Sequence, residues 1–241
     1  MNFYFFQTGN EIDYASLLVN SIRKTNPKSR IIQVSDIDTP KIDNVHDCLR
    51  FGGDKKNICK FRFECYSKIN FEKNTENIFL DTDMIVLEEL SPKLIFQSFE
   101  SIFCLRHYPI KLLASENEYF QNKPEYLNKT ISEVMPILAC FIATKDINLF
   151  KTMNKIYEDL DEDFKYWYGD QIVLKEYCEA YKKNIGLVSE FYYGNLDIKI
   201  FEDGRYDRNF LLENKIKIVH FKGGNRKKHM RNFYLDWFEK N

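Results

Sequence analysis

The run Asn77-Ile78-Phe79-Leu80-Asp81-Thr82-Asp83-Met84-Ile85-Val86-Leu87 constrains this chain more than any other segment. Apolar residues fill most of positions 78–87, the pattern of a strand buried in the centre of a sheet. Two carboxylates at the end of such a run need something positive to meet them, because an unpaired buried charge is costly. A divalent cation with an anionic ligand behind it is the simplest partner. Oxygen ligands suit Mg²⁺ or Mn²⁺, which keep open positions for phosphate oxygens. On a strand, residues i and i+2 point the same way. Asp81 and Asp83 can then share one ion, or one can hold the ion and the other a ribose. The competing reading is a strand-end turn with two solvated aspartates. A bare D-x-D is common, but its placement between Ile78–Leu80 and Ile85–Leu87 favours a metal–phosphate platform.

The segments around this run predict an α/β fold. Asn2–Gln7 reads as a strand, Thr8–Glu11 as a loop, and Asp13–Lys24 as an amphipathic helix stopped by Asn26-Pro27. Arg30–Ser35 is the next strand, and this β–loop–α–β start is the signature of a parallel, doubly wound sheet. A helix is expected over Cys59–Ile69, and another opening at Ser91-Pro92, where Ser can cap and Pro suits the first turn. Strands are expected over Ser101–His107 and Val134–Thr144, with a polar, aromatic loop or insertion at 108–131 between them. Helices follow over Ile147–Leu160 and Asp170–Lys183, separated by the acidic turn Asp161–Asp163. Ile185–Val188 and Lys215–His220 read as short strands. With no internal repeat and no low-complexity linker, residues 1–241 read as a single domain.

Composition excludes several classes. A net charge of −1 argues against a general nucleic-acid binder. No apolar stretch of about 18 residues suggests a membrane-spanning helix. Met1–Gln7 has no basic n-region and reads as a first strand, not a signal peptide. The six cysteines include no C-x-x-C pair, so neither a zinc knuckle nor a redox motif is visible. Reduced thiols in a cytoplasmic protein are the expectation.

Other residues are candidates for the same chemistry. His220 ends the run Ile216–Val219 and can supply a third metal ligand, or can merely close a strand. Lys222 is placed to meet a phosphate, and Gly223-Gly224 allow backbone amides to approach an anion. Asp170, in Tyr168-Gly169-Asp170-Gln171, stands where a helix begins and reads from spacing as an N-cap. The Gln171 amide can meet sugar hydroxyls. Lys60 and Arg62 precede the Asp81 strand by one helix. They can neutralise a diphosphate or pair with Asp81, or form a solvated helix face. The basic tail 225–231 is a solvated segment or a peripheral contact for an acidic membrane surface or an anionic acceptor.

Together these residues resemble the GT-A glycosyltransferases, most closely the retaining family-8 group that includes glycogenin and bacterial galactosyl- and glucosyltransferases. The resemblance runs from the first strand to about Lys222. Phe3–Asn10 is similar to that family's uridine-binding start, which implies nucleotide contacts for Thr8, Asn10 and Tyr14. Lys60-Phe61-Arg62 is similar to its basic helix, and Phe79–Leu87 to its metal-binding strand, with Thr82 between the carboxylates. Asp170-Gln171 matches the Asp-Gln pair near the transferred sugar. His220-Phe221-Lys222-Gly223 is similar to the C-terminal His-Phe-x-Gly segment that supplies the third ligand and closes over the diphosphate. Pro136–Cys140 stands where the family carries Asn-(Ala/Ser)-Gly, and the family's Lys-Pro-Trp after Gly224 is missing.

The resemblance implies a GT-A-like, Rossmann-like mixed and mostly parallel central sheet flanked by helices. The nucleotide-binding half would span about 1–100 and the acceptor-side half about 101–241. It implies transfer of a hexose from a UDP-sugar, with Mn²⁺ or Mg²⁺ held by Asp81, Asp83 and His220. The acceptor would be a saccharide, such as an oligosaccharide of a surface polysaccharide or lipopolysaccharide. Retention by front-face attack would set Gln171 beneath the anomeric carbon, with Asp170 orienting sugar or acceptor. A cytoplasmic protein, peripheral to the inner face of the membrane through its basic tail, is the matching location. Two alternatives are weighed against it. A haloacid-dehalogenase-type phosphohydrolase also uses D-x-D, but near the chain start and with a later G-D-x-x-x-D, where this chain has Leu174. A non-catalytic nucleotide-sugar-binding module would keep the fold without turnover.

Overall fold

The computed structural model describes residues 1–107, 112, 118–160, 162, 165, 168–194 and 206–240. Part of the expected loop at 108–131, Asp161 and Asp163 of the acidic turn, and the side chains at 224–226 of the basic tail lie outside the described residues. The first strand, β1 (Asn2–Gln7), leads into α1 (Asp13–Thr25), then β2 (Arg30–Asp36), β3 (Asp47–Phe51) and α2 (Ile58–Ser67). Next come β4 (Asn77–Leu80), β5 (Met84–Val86), α3 (Pro92–Phe96), β6 (Ser101–Leu105), α4 (Glu118–Gln121) and α5 (Ile131–Val134). The chain continues through β7 (Ile137–Thr144), α6 (Leu149–Asp159), α7 (Gly169–Ala180), β8 (Ile185–Ser189) and α8 (Glu190–Tyr193). It closes with α9 (Arg208–Glu213), β9 (Ile218–His220) and α10 (Gly224–Phe238).

A seven-stranded sheet has the order β3-β2-β1-β4-β7-β6-β8. Only β7 runs against its neighbours, so the sheet is mixed but mostly parallel. The alternation of each strand feeds two cores. Phe3 and Phe5 of β1, with Ile78 and Leu80 of β4, pack on Leu18, Val19 and Ile22 of α1. Tyr4 and Phe79 face the other way, onto Phe61, Phe63 and Tyr66 of α2 and Phe150 of α6. There Tyr4 stacks on Phe79 at 4.8 Å, and Phe150 meets Phe79 edge-on at 4.5 Å. No helix among the described residues is long and apolar enough to cross a membrane.

The apolar run 78–87 is not one strand. β4 stays in the large sheet, the chain turns through residues 81–83, and β5 pairs antiparallel with β9 in a separate two-stranded sheet. The backbone hydrogen bonds show the exchange of partner. Asp81 N donates to Cys140 O of β7, and two residues on Phe221 N donates to Asp83 O. The carboxylates thus leave the buried ladder at a turn instead of sharing one face of a strand.

Other boundaries differ for local reasons. Val134 closes α5, which starts with a capping box between Thr130 and Glu133, and β7 begins only after Pro136. Lys215 has φ +53, so the expected strand at 215–220 shortens to β9. Ser91 makes no side-chain cap bond, although Pro92 takes the first turn of α3. The basic tail forms the first half of α10. Its Met230, Phe233, Tyr234 and Trp237 pack with Ile85, Val219 and Phe221 as a third core, leaving Lys228 and Arg231 exposed.

Candidate metal and active site

The site forms along the edge where the parallel strands end. β4 delivers Asp81 and β1 delivers the loop of Thr8. Because β7 opposes both β4 and β6, those two run the same way, and β6 brings Arg106 to the same edge. The carboxyl ends of parallel strands are the usual ligand side of such sheets. His220 arrives from β9, whose register sets it opposite Met84, directly after Asp83.

Asp83 and His220 are buried, and the His220 Nε2 to Asp83 Oδ1 distance is 3.1 Å. Lys227 of α10 places its Nζ 3.1 Å from the other oxygen of Asp83. Arg62 of α2 forks between two acids. One guanidinium nitrogen donates to Asp81 Oδ1 at 3.0 Å and the other to Asp170 Oδ2. The planar guanidinium reaches the two acids through two separate nitrogens.

Each charge answers to its surroundings. Burial would lower the His220 pKa, but the Asp83 carboxylate reverses this and pushes it up to about 10. Burial would raise the Asp83 pKa, but His220 and then Lys227 hold it well below the usual carboxylate range. Asp81 goes the other way: burial raises it against the pull of Arg62. Arg62 thus serves both Asp81 and Asp170, and Asp83 lies between His220 and Lys227.

Asp81, Asp83 and His220 each offer one ligand atom, and these atoms all lie within 4.8 Å of one another. Two carboxylates and an imidazole suit Mn²⁺ or Mg²⁺ with positions left for oxygen ligands. Among the described residues, the buried His220 Nδ1 has no hydrogen-bond partner.

The remaining candidates divide. Asp170 is not an N-cap: Tyr168 holds that position, and Asp170 Oδ1 accepts from Gln171 N at 2.7 Å while Oδ2 faces Arg62. Gln171 Oε1 accepts from Arg106. Tyr14 lies under Lys227, its ring centroid 5.8 Å from Nζ. Thr82 is half-buried in the carboxylate turn, and Lys222 is exposed beyond His220 with Arg106 among the charges around it. Gly223 adopts φ +85 ahead of α10, with open space where a Cβ would stand. Thr8 is half-buried and Asn10 exposed. Between them Gly9 N donates to Thr39 Oγ1 at 2.8 Å, which ties the loop to the end of β2. Lys60 is not brought to the cluster: it lies on the exposed face of α2, 3.6 Å from Glu64.

Two residues that spacing did not single out belong here. Arg106 is buried, and its Nε donates to Met135 O at 2.9 Å. Its signal was a lone arginine directly after the apolar strand Ser101–Leu105. Glu190 is completely buried at the end of β8 and accepts from His107 N. Nothing in Ser189-Glu190-Phe191-Tyr192-Tyr193 marks it.

No protein-family model matches this chain, and no curated protein matches it in sequence.

Proposed function

We propose that this protein is a metal-dependent glycosyltransferase of the GT-A type, moving a hexose from a UDP-sugar to a saccharide acceptor with retention. The observation that carries the reading is the convergence of Asp81, Asp83 and His220, from β4, the turn after it and β9, within 4.8 Å at the sheet's carboxyl edge. Their donor set fits Mn²⁺ or Mg²⁺, which when bound would offset charge growing on a departing diphosphate. The mixed, mostly parallel sheet with a D-x-D turn at its edge is compatible with that fold.

The chain's own residues then take definite parts. The loop of Thr8 and Asn10, with Tyr14 at the start of α1, meets the nucleotide. Lys222, the open backbone at Gly223 and Lys227 meet the diphosphate, which at that edge would find cations beside the first turn of α10. Arg62 holds the Asp170 side chain oriented for a sugar or acceptor hydroxyl. Gln171, next on α7, meets the transferred sugar.

A donor panel tests this. The protein is incubated with Mn²⁺ and UDP-, GDP-, CMP- and dTDP-sugars, and released nucleotide is quantified beside Asp83→Ala. Release from a UDP-sugar that the variant abolishes is the expected result. UDP binding that needs Mn²⁺, without release from any donor, would indicate a binding module. The absence of both binding and release would overturn the reading of Asp81 and Asp83.

A further inference from the structure

We propose that Arg106 locks the Gln171 side chain in one orientation, so that Gln171 meets its substrate as a hydrogen-bond donor through Nε2 and not through its carbonyl oxygen. This rests on the transferase reading above and deepens it.

A guanidinium carries donors only. The side-chain atom of Gln171 facing it must therefore be the oxygen, and the assignment of the amide needs no choice between two rotated forms. Arg106 is itself fixed. It is 6% exposed, its backbone N donates to Pro136 O at 2.7 Å, and its Nε donates to Met135 O at 2.9 Å. Burial lowers the Arg106 pKa, the Glu190 carboxylate opposes that shift, and His107 N holds the carboxylate in place. Arg106 is thus braced from the start of β7 and from the end of β8.

The backbone side of Gln171 is equally constrained. Its N donates to Asp170 Oδ1, whose partner oxygen lies on Arg62. Two arginines therefore hold neighbouring residues of α7, Arg62 through the carboxylate and Arg106 through the amide oxygen. Among the described residues the Gln171 Nε2 group has no partner.

The chemistry follows from polarisation. A carbonyl oxygen bound to a cation is a poorer electron-pair donor, while the N–H bonds of the same amide become better hydrogen-bond donors. Such a group stabilises an oxygen that gains negative charge, on the sugar or on the departing phosphate. It is badly suited to stabilise a positive anomeric carbon. Gln171 is the residue that touches substrate, and Arg106 is a positioning residue acting through it.

Gln171→Glu separates the alternatives, because it keeps the shape, replaces the N–H donor with a second oxygen and strengthens the pairing with Arg106. If Gln171 works as a donor, kcat with the active UDP-hexose falls by about 100-fold. Thermal stability is kept or raised, and Mn²⁺-dependent UDP binding by calorimetry is unchanged. If the carbonyl oxygen were the working atom, the carboxylate, a stronger electron donor, would keep or raise turnover, and that result overturns the proposal. Arg106→Met should lower kcat with little change in KM, and Arg106→Lys, which restores a donor to Oε1, should recover part of the loss. Equal activity of the two Arg106 variants would overturn the role of Arg106. A wild-type protein inert toward every sugar donor would instead overturn the transferase reading, an outcome distinct from an active enzyme that tolerates Gln171→Glu.

Discussion

Lys227 reaches Asp83 from the first turn of α10, its Nζ 3.1 Å from Oδ2, while His220 Nε2 takes Oδ1 at the same 3.1 Å. Both oxygens of Asp83 thus already face a nitrogen partner before any ligand arrives. A divalent ion at Asp81, Asp83 and His220 must take one of those positions, and the half-exposed ammonium is the easier to displace.

Lys227→Met should therefore bind Mn²⁺ more tightly, by about fivefold, the size expected for removing a partly solvated competing ion pair. The same variant should bind UDP more weakly in the presence of Mn²⁺, because the displaced ammonium would meet the diphosphate. Titration of free Mn²⁺ by electron paramagnetic resonance checks the first effect. Unchanged Mn²⁺ affinity would show that Lys227 does not compete.

The two aspartates of the turn should behave differently when neutralised. Burial already disfavours the charged form of Asp81, so Asp81→Asn should change stability by less than about 1 kcal/mol. Asp83→Asn strips the counter-charge from His220 and Lys227 and should cost roughly 1–3 kcal/mol. Both should weaken Mn²⁺ binding by more than about tenfold, the lower range for loss of a metal-site group. Urea midpoints beside calorimetry separate the outcomes, and equal stability losses would contradict this account.

Arg62→Met leaves Asp81 and Asp170 without their shared cation, and the loss should be about 3–5 kcal/mol, as for breaking other buried pairs. Arg62→Lys should fall between, since an ammonium keeps the charge but lacks the planar pair of nitrogens. Chemical denaturation of the two variants reads the difference. Indistinguishable variants would mean that the fork is not what holds α2 to α7.

Acid stability should depend on Asp36, at the end of β2. Burial would raise its pKa, but Lys55 Nζ at 2.7 Å and Thr39 N at 2.7 Å hold it down to about 2, below the ordinary 3.8. With the folded value the lower one, its stabilisation is complete above about pH 4 and disappears as pH falls through about 2. Lys55→Met should cost roughly 1 kcal/mol at neutral pH, since Lys55 is half-exposed, and much less near pH 2. Urea midpoints across this range give the comparison, and a constant difference would exclude Asp36 as the titrating group.

The periodicity of the chain foretold β1, α1 and β2 almost to the residue, because their apolar spacing is unambiguous and their stops are strong. It did not foretell the break at Asp81. Ile78–Leu80 and Met84–Leu87 look like one strand, and only the positions of β7 and β9 make the chain exchange partners there. β3 escaped because Asp-Cys-Leu-Arg-Phe is a half-buried edge strand with weak alternation. α10 was hidden by its basic run, although Met230, Phe233, Tyr234 and Trp237 carry helical spacing. Lys60 and Arg62 were paired by proximity in sequence, yet two residues apart on a helix face nearly opposite ways. Arg62 found Asp81 and Asp170, and Lys60 found Glu64 on the exposed face. Asp83 and Lys227 could not be joined by any local pattern.

The turn at Asp81–Asp83 is also a seam. Asp81 is anchored to the large sheet through β7, and Asp83 to the small unit of β5, β9 and α10. Any ligand gripped by both carboxylates stitches the two together. Opening of the small unit away from the large sheet would tear that grip, so bound ligand should suppress the opening in proportion to its affinity. Amide exchange at Ile85 and Val219 would then slow on ligation, while exchange in β1 and β2, on the far side of the seam, stays at its unliganded rate.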